Sequence, residues 1–156
     1  GSYPVDSVRM MERIILAAES AARTHGKSPA RIGGLTFPAS FPDVISAVAC
    51  EAARTAGAVL IAAFTLSGHT ARLLSHYRPA VPIVAFSPNQ EVRRKLSLLW
   101  GVVPRLEVPP ESLEETLRIA SSLLVREKFC KTGDAFAMVV PWPLSGQTNA
   151  VKLHRL

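Results

Sequence analysis

Small hydroxylated residues and a glycine lie together in the segment from Thr65 to Thr70, which reads TLSGHT. Side-chain hydroxyls and closely spaced backbone N–H groups are donors that suit an oxyanion. The segment directly precedes a predicted helix, whose dipole adds positive potential at its N-terminus. We therefore predict a phosphate site in this loop. Its candidate residues are Thr65, Leu66, Ser67, Gly68, His69 and Thr70.

The same segment also fits an ordinary turn from a strand into a helix. Ser67 or Thr70 could satisfy the unpaired N–H groups of the first helical turn and bind no ligand. The loop contains no lysine and fewer glycines than the phosphate loop of a nucleotide hydrolase, so it does not suggest nucleotide hydrolysis. The residues alone leave phosphate binding and simple capping open.

A second polar segment runs from Pro141 to Asn149. An indole can stack on a ring or a sugar, and hydroxyl, amide and backbone groups can hydrogen-bond a polar ligand. The candidate residues of this loop are Trp142, Ser145, Gly146, Gln147, Thr148 and Asn149. The alternative is a rigid proline-rich turn whose tryptophan covers the edge of the sheet.

Catalytic residues are not indicated anywhere in the sequence. His25, His69, His76 and His154 have no metal-ligand spacing, and neither a nucleophile elbow nor a pair of carboxylates is present. The two cysteines, which form neither a disulfide framework nor a metal motif, are predicted to be reduced thiols. We predict no catalytic residue, no metal site and no cofactor in this chain.

An alternation of apolar runs and helical patterns must position the two loops. Continuous apolar runs predict buried strands at 58–64, 81–86, 102–108 and 134–140. Helical spacing predicts helices from Asp43, as N-cap, to Gly57, and over 70–77, 89–100 and 113–129. Ser112 and Glu115 form a capping box at the start of the last of these helices.

Strands separated by helices predict an α/β fold with a mostly parallel sheet of about five strands and helices on both faces. The final strand, 149–154, follows its predecessor after a short loop and should be an antiparallel edge strand. Both candidate loops follow the carboxyl ends of parallel strands, where ligands bind in open α/β sheets.

Composition and charge limit the possible partners. The 156 residues are 48% hydrophobic, which fits one globular domain. The net charge of +6 is dispersed, and aromatic residues do not alternate with basic ones, so we predict no nucleic-acid partner. The sequence has no apolar run of about 18 residues and no signal-peptide layout, so we predict a cytoplasmic protein with no membrane segment.

The first predicted helix differs in its pattern, since two lines of apolar residues give it a wide apolar stripe between Pro4 and Glu19. A Gly- and Pro-rich stretch without periodicity follows, from Thr24 to Pro42. A connector of that length is unusual inside one compact domain. The first helix is therefore predicted to pack in a different unit from the residues that follow.

Several short motifs in this order resemble the C-terminal domain of pyruvate kinase. The matching segments are FTLSGHTAR (64–72), YRP (77–79), PIVA (82–85), Asn89, WGV (100–102), Gly133 with Asp134, and SGQTN (145–149). The resemblance covers residues 43–156. The start of the chain, YPVDSVRMM (3–11), is similar to the last helix associated with the catalytic barrel of that family.

This resemblance implies three segments: 1–24 as the barrel-associated helix, 25–42 as a connector, and 43–156 as the C-terminal domain. In the family this domain binds a phosphorylated allosteric effector, whose phosphate lies in the loop matching Thr65 to Thr70, and it contributes to a homotetramer. The catalytic barrel of the family binds Mg²⁺ and K⁺ and catalyses the glycolytic transfer from phosphoenolpyruvate to ADP. The chain by itself is predicted to be inactive.

Two departures from the family bear on the effector. Leu66 and His69 occupy positions where family members that bind a bisphosphate often place Lys or Arg, and a second phosphate needs its own cation. A sugar monophosphate or AMP is therefore predicted in preference to fructose 1,6-bisphosphate. The alternatives are a free-standing relative with a purely structural role, and one with its own chemistry, with His69 as acid or base.

Overall fold

The computed structural model describes residues 1–24, 39–108, 110, 112–143 and 146–156. Most of the predicted connector lies outside these residues, as does Ser145. The helices are α1 (Pro4–Thr24), α2 (Phe41–Thr55), α3 (His69–His76), α4 (Gln90–Leu96) and α5 (Leu113–Arg126). The strands are β1 (Leu60–Phe64), β2 (Ile83–Ser87), β3 (Val102–Leu106), β4 (Ala135–Pro141) and β5 (Thr148–Arg155).

The five strands form one mixed sheet in the order β3-β2-β1-β4-β5. β1 pairs in parallel with β2 and β4, and β2 pairs in parallel with β3. β5 lies antiparallel to β4 at one edge, with Ala137 opposite Leu153. The predicted α/β fold, with its antiparallel C-terminal edge strand, is confirmed.

Helices cover both faces of the sheet, because successive side chains of a strand point to opposite faces. Ile61 and Ala63 of β1 pack in a buried cluster with residues of α2 and α3. Leu60, Ala62 and Phe64 of the same strand pack with residues of α5 on the opposite face. Burial of the strand on both sides explains its unbroken apolar sequence.

Several predicted helix boundaries were wrong, among them the start of α2 and the end of α4. Ser40, and not Asp43, is the N-cap of α2, and its hydroxyl accepts a hydrogen bond from the Asp43 amide at 3.3 Å. Asp43 instead occupies the third helical position, where its negative charge suits the helix dipole. Helix α4 ends at Leu96 and not near Trp100, since the amide of Leu99 bonds the carbonyl of Leu96, three residues back, in a turn.

Helix α1 is amphipathic, yet its apolar residues are exposed. Met11 and Ile15, which lie on the predicted stripe, are 54% and 56% exposed, and the other large apolar residues of α1 are similarly open. Within the described residues, no helix combines the length and apolar character needed to cross a membrane.

Candidate functional site: a pocket at the carboxyl end of the parallel strands

A pocket of about 330 Å³ opens where β1 and β4 end. It is lined mainly by residues of the two loops predicted from the sequence. Its described lining consists of Ser40, Pro42, Phe64, Thr65, Leu66, Ser67, His69, Thr70, Pro141, Gly146, Gln147 and Thr148. The position agrees with the rule that ligands bind beyond the carboxyl ends of parallel strands.

Gly68 fixes the path of the first loop. Its φ of +85° is unfavourable for other residues, and a β-carbon there would lie 3.2 Å from side-chain carbons of both Val92 and Leu96 on α4. Gly68, the N-cap of α3, has no side chain that could cap the first turn, but the Ser67 hydroxyl accepts a long contact of 3.4 Å from the His69 amide there. The alternative of an ordinary capped turn is therefore supported in part by Ser67, whereas the Thr70 hydroxyl contacts Thr148 instead.

The hydroxyls of this loop differ in exposure. Thr65 is buried, and its Oγ1 accepts a hydrogen bond from the Gly68 amide at 2.9 Å. Ser67 is exposed, and its Oγ receives a long contact of 3.4 Å from the His69 amide. Accepting leaves each hydroxyl proton available. Ser67 is consequently the more accessible donor for a ligand.

A hydrogen bond between two buried threonines joins the loops. Thr70 Oγ1, at the start of α3, contacts Thr148 Oγ1, at the start of β5. One of the two hydroxyls donates to the other, so a single proton of the pair remains to serve a ligand. This contact brings together two segments 78 positions apart in the sequence.

The second loop divides into residues that line the pocket and residues that do not. Gly146, Gln147 and Thr148 line it, whereas Trp142 and Asn149 are absent from its described lining. The Asn149 side chain accepts from the Trp142 amide at 2.7 Å and donates to the Trp142 carbonyl at 2.6 Å. These bonds close the hairpin between β4 and β5 and occupy the amide group predicted to contact a ligand.

His69 is the one titratable side chain in the described lining of the pocket. Its Nδ1 lies 3.3 Å from Nη2 of Arg72, one turn further along α3. Because a guanidinium only donates, Nδ1 accepts and the ring proton lies on Nε2. Arg72 is thus a cation held beside a residue that lines the pocket.

Sequence reasoning missed Ser40, Pro42 and Phe64 in the lining of the pocket, and Arg72 beside it. Ser40 and Pro42 bring the start of α2 to the pocket. The spacing of Ser40 and Asp43 was a usable signal, because a hydroxyl residue three positions before an acidic one is typical of a helix start. The pairing of Arg72 with His69 could have been inferred from their spacing of three within a helix.

The described residues include neither a metal-ligand cluster nor a thiol of lowered pKa. The described part of the chain contains no group of three or more His, Cys, Asp or Glu residues that could hold a metal ion. Burial raises the pKa of the Cys50 thiol to about 12, so this thiol stays protonated and unreactive at neutral pH.

Fold and pocket together define an α/β domain with a pocket at the carboxyl edge of its parallel strands. The profile of the family described as "Pyruvate kinase, alpha/beta domain" matches residues 43–154. The chain belongs to this family. The match begins at the same residue as the resemblance noted in the sequence and ends two residues earlier.

Individual relatives are also pyruvate kinases. The chain is 32% identical to the pyruvate kinase of Sporosarcina psychrophila over 99% of its own length, and 34% identical to that of Clostridium acetobutylicum over 99%. A crystal structure of a pyruvate kinase from Cryptosporidium parvum superposes on 79% of the chain with a TM-score of 0.71 and 30% identity. The chain spans 26% and 33% of the length of the first two relatives and 24% of the third.

Proposed function

We propose that this chain is the C-terminal regulatory domain of a pyruvate kinase and that its pocket binds the phosphate of a monophosphorylated effector. The observation that carries the proposal is the Thr70–Thr148 contact, because it assembles one pocket from the two loops. Hydroxyls, the amides at the start of α3 and the dipole of that helix are all suited to a phosphate.

The charge of the pocket favours one phosphate over two. Its described lining has His69 as a single titratable group and contains no Lys or Arg, with Arg72 reaching it through His69. Leu66, 48% exposed, places an apolar side chain where a second cation would help a bisphosphate. A sugar monophosphate or AMP therefore fits better than fructose 1,6-bisphosphate.

The proposal extends to the role of the domain in a whole enzyme. There, phosphoenolpyruvate and ADP would react in a catalytic barrel that holds Mg²⁺ and K⁺, in the cytoplasm, and this domain would shift the population of a tetramer by binding its effector more tightly in one state. The exposed apolar face of α1 supports residues 1–24 as a helix that packs on the barrel. This chain alone would have no kinase activity.

A second candidate is an assembly domain whose pocket binds nothing. The observation that favours it is the exposed apolar side chain of Leu66, which lines the pocket proposed above to bind an anion. A catalytic role for His69 is less supported, because the described lining offers no second titratable group to complete an acid–base pair.

Calorimetric titration separates these candidates. Glucose 6-phosphate, ribose 5-phosphate, AMP, fructose 1,6-bisphosphate and inorganic phosphate would each be titrated into the chain at low salt. We expect saturable binding of at least one monophosphate, tighter than inorganic phosphate. Absence of heat with every compound would favour the assembly domain.

A pair of charge variants tests whether the phosphate binds in the loop from Thr65 to Thr70. Ser67→Asp should abolish binding because a carboxylate at the exposed hydroxyl repels the phosphate, with only a few degrees of change in Tm. Ser122→Asp, at an exposed position of α5, adds the same charge elsewhere and should leave the affinity unchanged. If Ser67→Asp and the unmodified chain bind with equal affinity, the phosphate does not bind in this loop.

A further inference from the structure

Three side chains join α1 to the α/β domain near the C-terminal end of α3. The Trp100 indole donates from Nε1 to Glu19 Oε1 at 2.8 Å. Arg78 Nη1 lies 3.8 Å from the same carboxylate oxygen, and the Arg78 guanidinium lies 4.8 Å from the centre of the Trp100 ring. We call Glu19, Arg78 and Trp100 the joint.

The two domain residues of the joint are held independently of α1. Arg78 has a φ of +48°, an uncommon conformation for a residue with a β-carbon, and its amide bonds the Ser75 carbonyl at 3.1 Å. The Ser75 hydroxyl donates to the Trp100 carbonyl at 2.7 Å. The backbones of Arg78 and Trp100 are therefore both hydrogen-bonded to Ser75 of α3, in contacts to which α1 does not contribute.

Helix α3 connects this joint with the pocket. Its eight residues span about 12 Å. At one end Thr70 contacts Thr148 in the pocket, and at the other Ser75 contacts the backbone of Trp100. Both residues lie on the buried side of the helix. A small movement of α3 must therefore alter contacts at both ends, because packed side chains adjust in discrete steps.

We propose that Arg78 and Trp100 are positioning residues that hold α1 on the α/β domain, and that α3 makes this hold depend on the state of the pocket. An effector bound in the pocket would then strengthen or weaken the contacts of the joint, and in this way affect any surface that α1 contacts. The effect of a ligand rests on the phosphate site proposed above, whereas the effect of the substitutions below does not.

Amide hydrogen exchange of residues 12–21 tests the joint. Glu19→Ala should raise their exchange about 2-fold to 10-fold, the range expected for one lost hydrogen bond. Glu19→Gln keeps an acceptor for Trp100 but loses the attraction to Arg78. The exchange in this variant should therefore lie between that of the unmodified chain and that of Glu19→Ala. Glu12→Ala, an exposed change on the same helix, should match the unmodified chain. Equal exchange in Glu19→Ala and Glu12→Ala would overturn the joint.

Variants at the pocket end test the link through α3. Thr70→Val and Thr148→Val each break the same hydroxyl contact from opposite sides, and either one should raise exchange in residues 12–21 although neither touches α1. Thr116→Val removes a buried hydroxyl hydrogen bond on α5, on the other face of the sheet. It is the control and should not raise the exchange of residues 12–21. Unchanged exchange of α1 in a folded Thr70→Val or Thr148→Val chain would overturn the link.

Inorganic phosphate serves as the probe for the ligand effect, with calorimetry reporting occupancy in the same samples. Binding accompanied by a change in exchange of residues 12–21 supports the proposal, and binding without such a change contradicts it. If phosphate fails to bind, the proposed phosphate site fails, and the threonine variants still decide whether α3 links the two ends.

Discussion

Helices α1 and α2 have similar amphipathic patterns and opposite surroundings. In α2, Ala49 and Ala53 are fully buried against the sheet, whereas Met11 and Ile15 of α1 remain more than half exposed. Near the end of α1, Glu19 contacts Trp100 and Arg78 of the α/β domain. The comparison teaches that an apolar stripe predicts a covered face but does not say which surface covers it.

The largest effect is expected from a charge on the buried face of α2. Ala53→Asp would place a carboxylate at a position with no exposure, and should lower the free energy of unfolding by about 3 to 5 kcal/mol, the cost of an unpaired buried charge. Urea unfolding followed by circular dichroism measures the loss. Val48→Asp, on the partly exposed side of the same helix, is the control and should cost far less. A similar loss in both variants would contradict the assigned burial of α2.

A pH-dependent effect is expected from Cys50, also on α2. Burial raises the pKa of its thiol from 9.0 to about 12, so above pH 9 the unfolded chain loses this proton first. The unfolded state then binds fewer protons than the folded state, and stability falls as the pH rises from 9 towards 12. Cys50→Ala should show less of this alkaline loss in urea unfolding at pH 7 to 10.5. Parallel pH profiles for the two chains would remove Cys50 as the cause.

The smallest effect is expected on α1. Ile15→Asp should change the free energy of unfolding of the α/β domain by less than about 0.5 kcal/mol, as for other exposed positions. The same urea unfolding measures it. If α1 instead shields its stripe against a second copy, Ile15→Asp would also lower the apparent mass in sedimentation. A destabilisation close to that of Ala53→Asp would erase the contrast between the two helices.

Much of the fold could be predicted because local sequence patterns indicate where strands and helices form and how they pair. The unbroken apolar run of β1 indicated burial on two sides, and the short link between β4 and β5 indicated an antiparallel edge. The boundaries of α2 and α4 were less accurate. Ser40 competes with Asp43 as a cap, and a turn can continue helical spacing past Leu96 without helical hydrogen bonds.

The candidate site was predicted in part. Both loops were identified because small hydroxylated residues before a helix suit an anion, and Thr65 to Thr70 reach the pocket with Gly68 as the packed exception. Trp142 and Asn149 were grouped with the ligand residues because their types suit that role. The structure turns the Asn149 amide onto the Trp142 backbone, a choice that depends on the conformation of the hairpin.

The sequence by itself determined the order of strands and helices, the parallel class of the sheet and the chemistry available in each loop. Periodicity, capping and turn residues act over a few positions in the sequence, so their effects do not depend on residues far away in the chain. The tertiary structure alone decided that Thr70 meets Thr148, that α2 begins at the pocket, and that Glu19 meets Trp100. Those contacts join residues far apart in the chain, and their geometry depends on how the helices pack on the sheet.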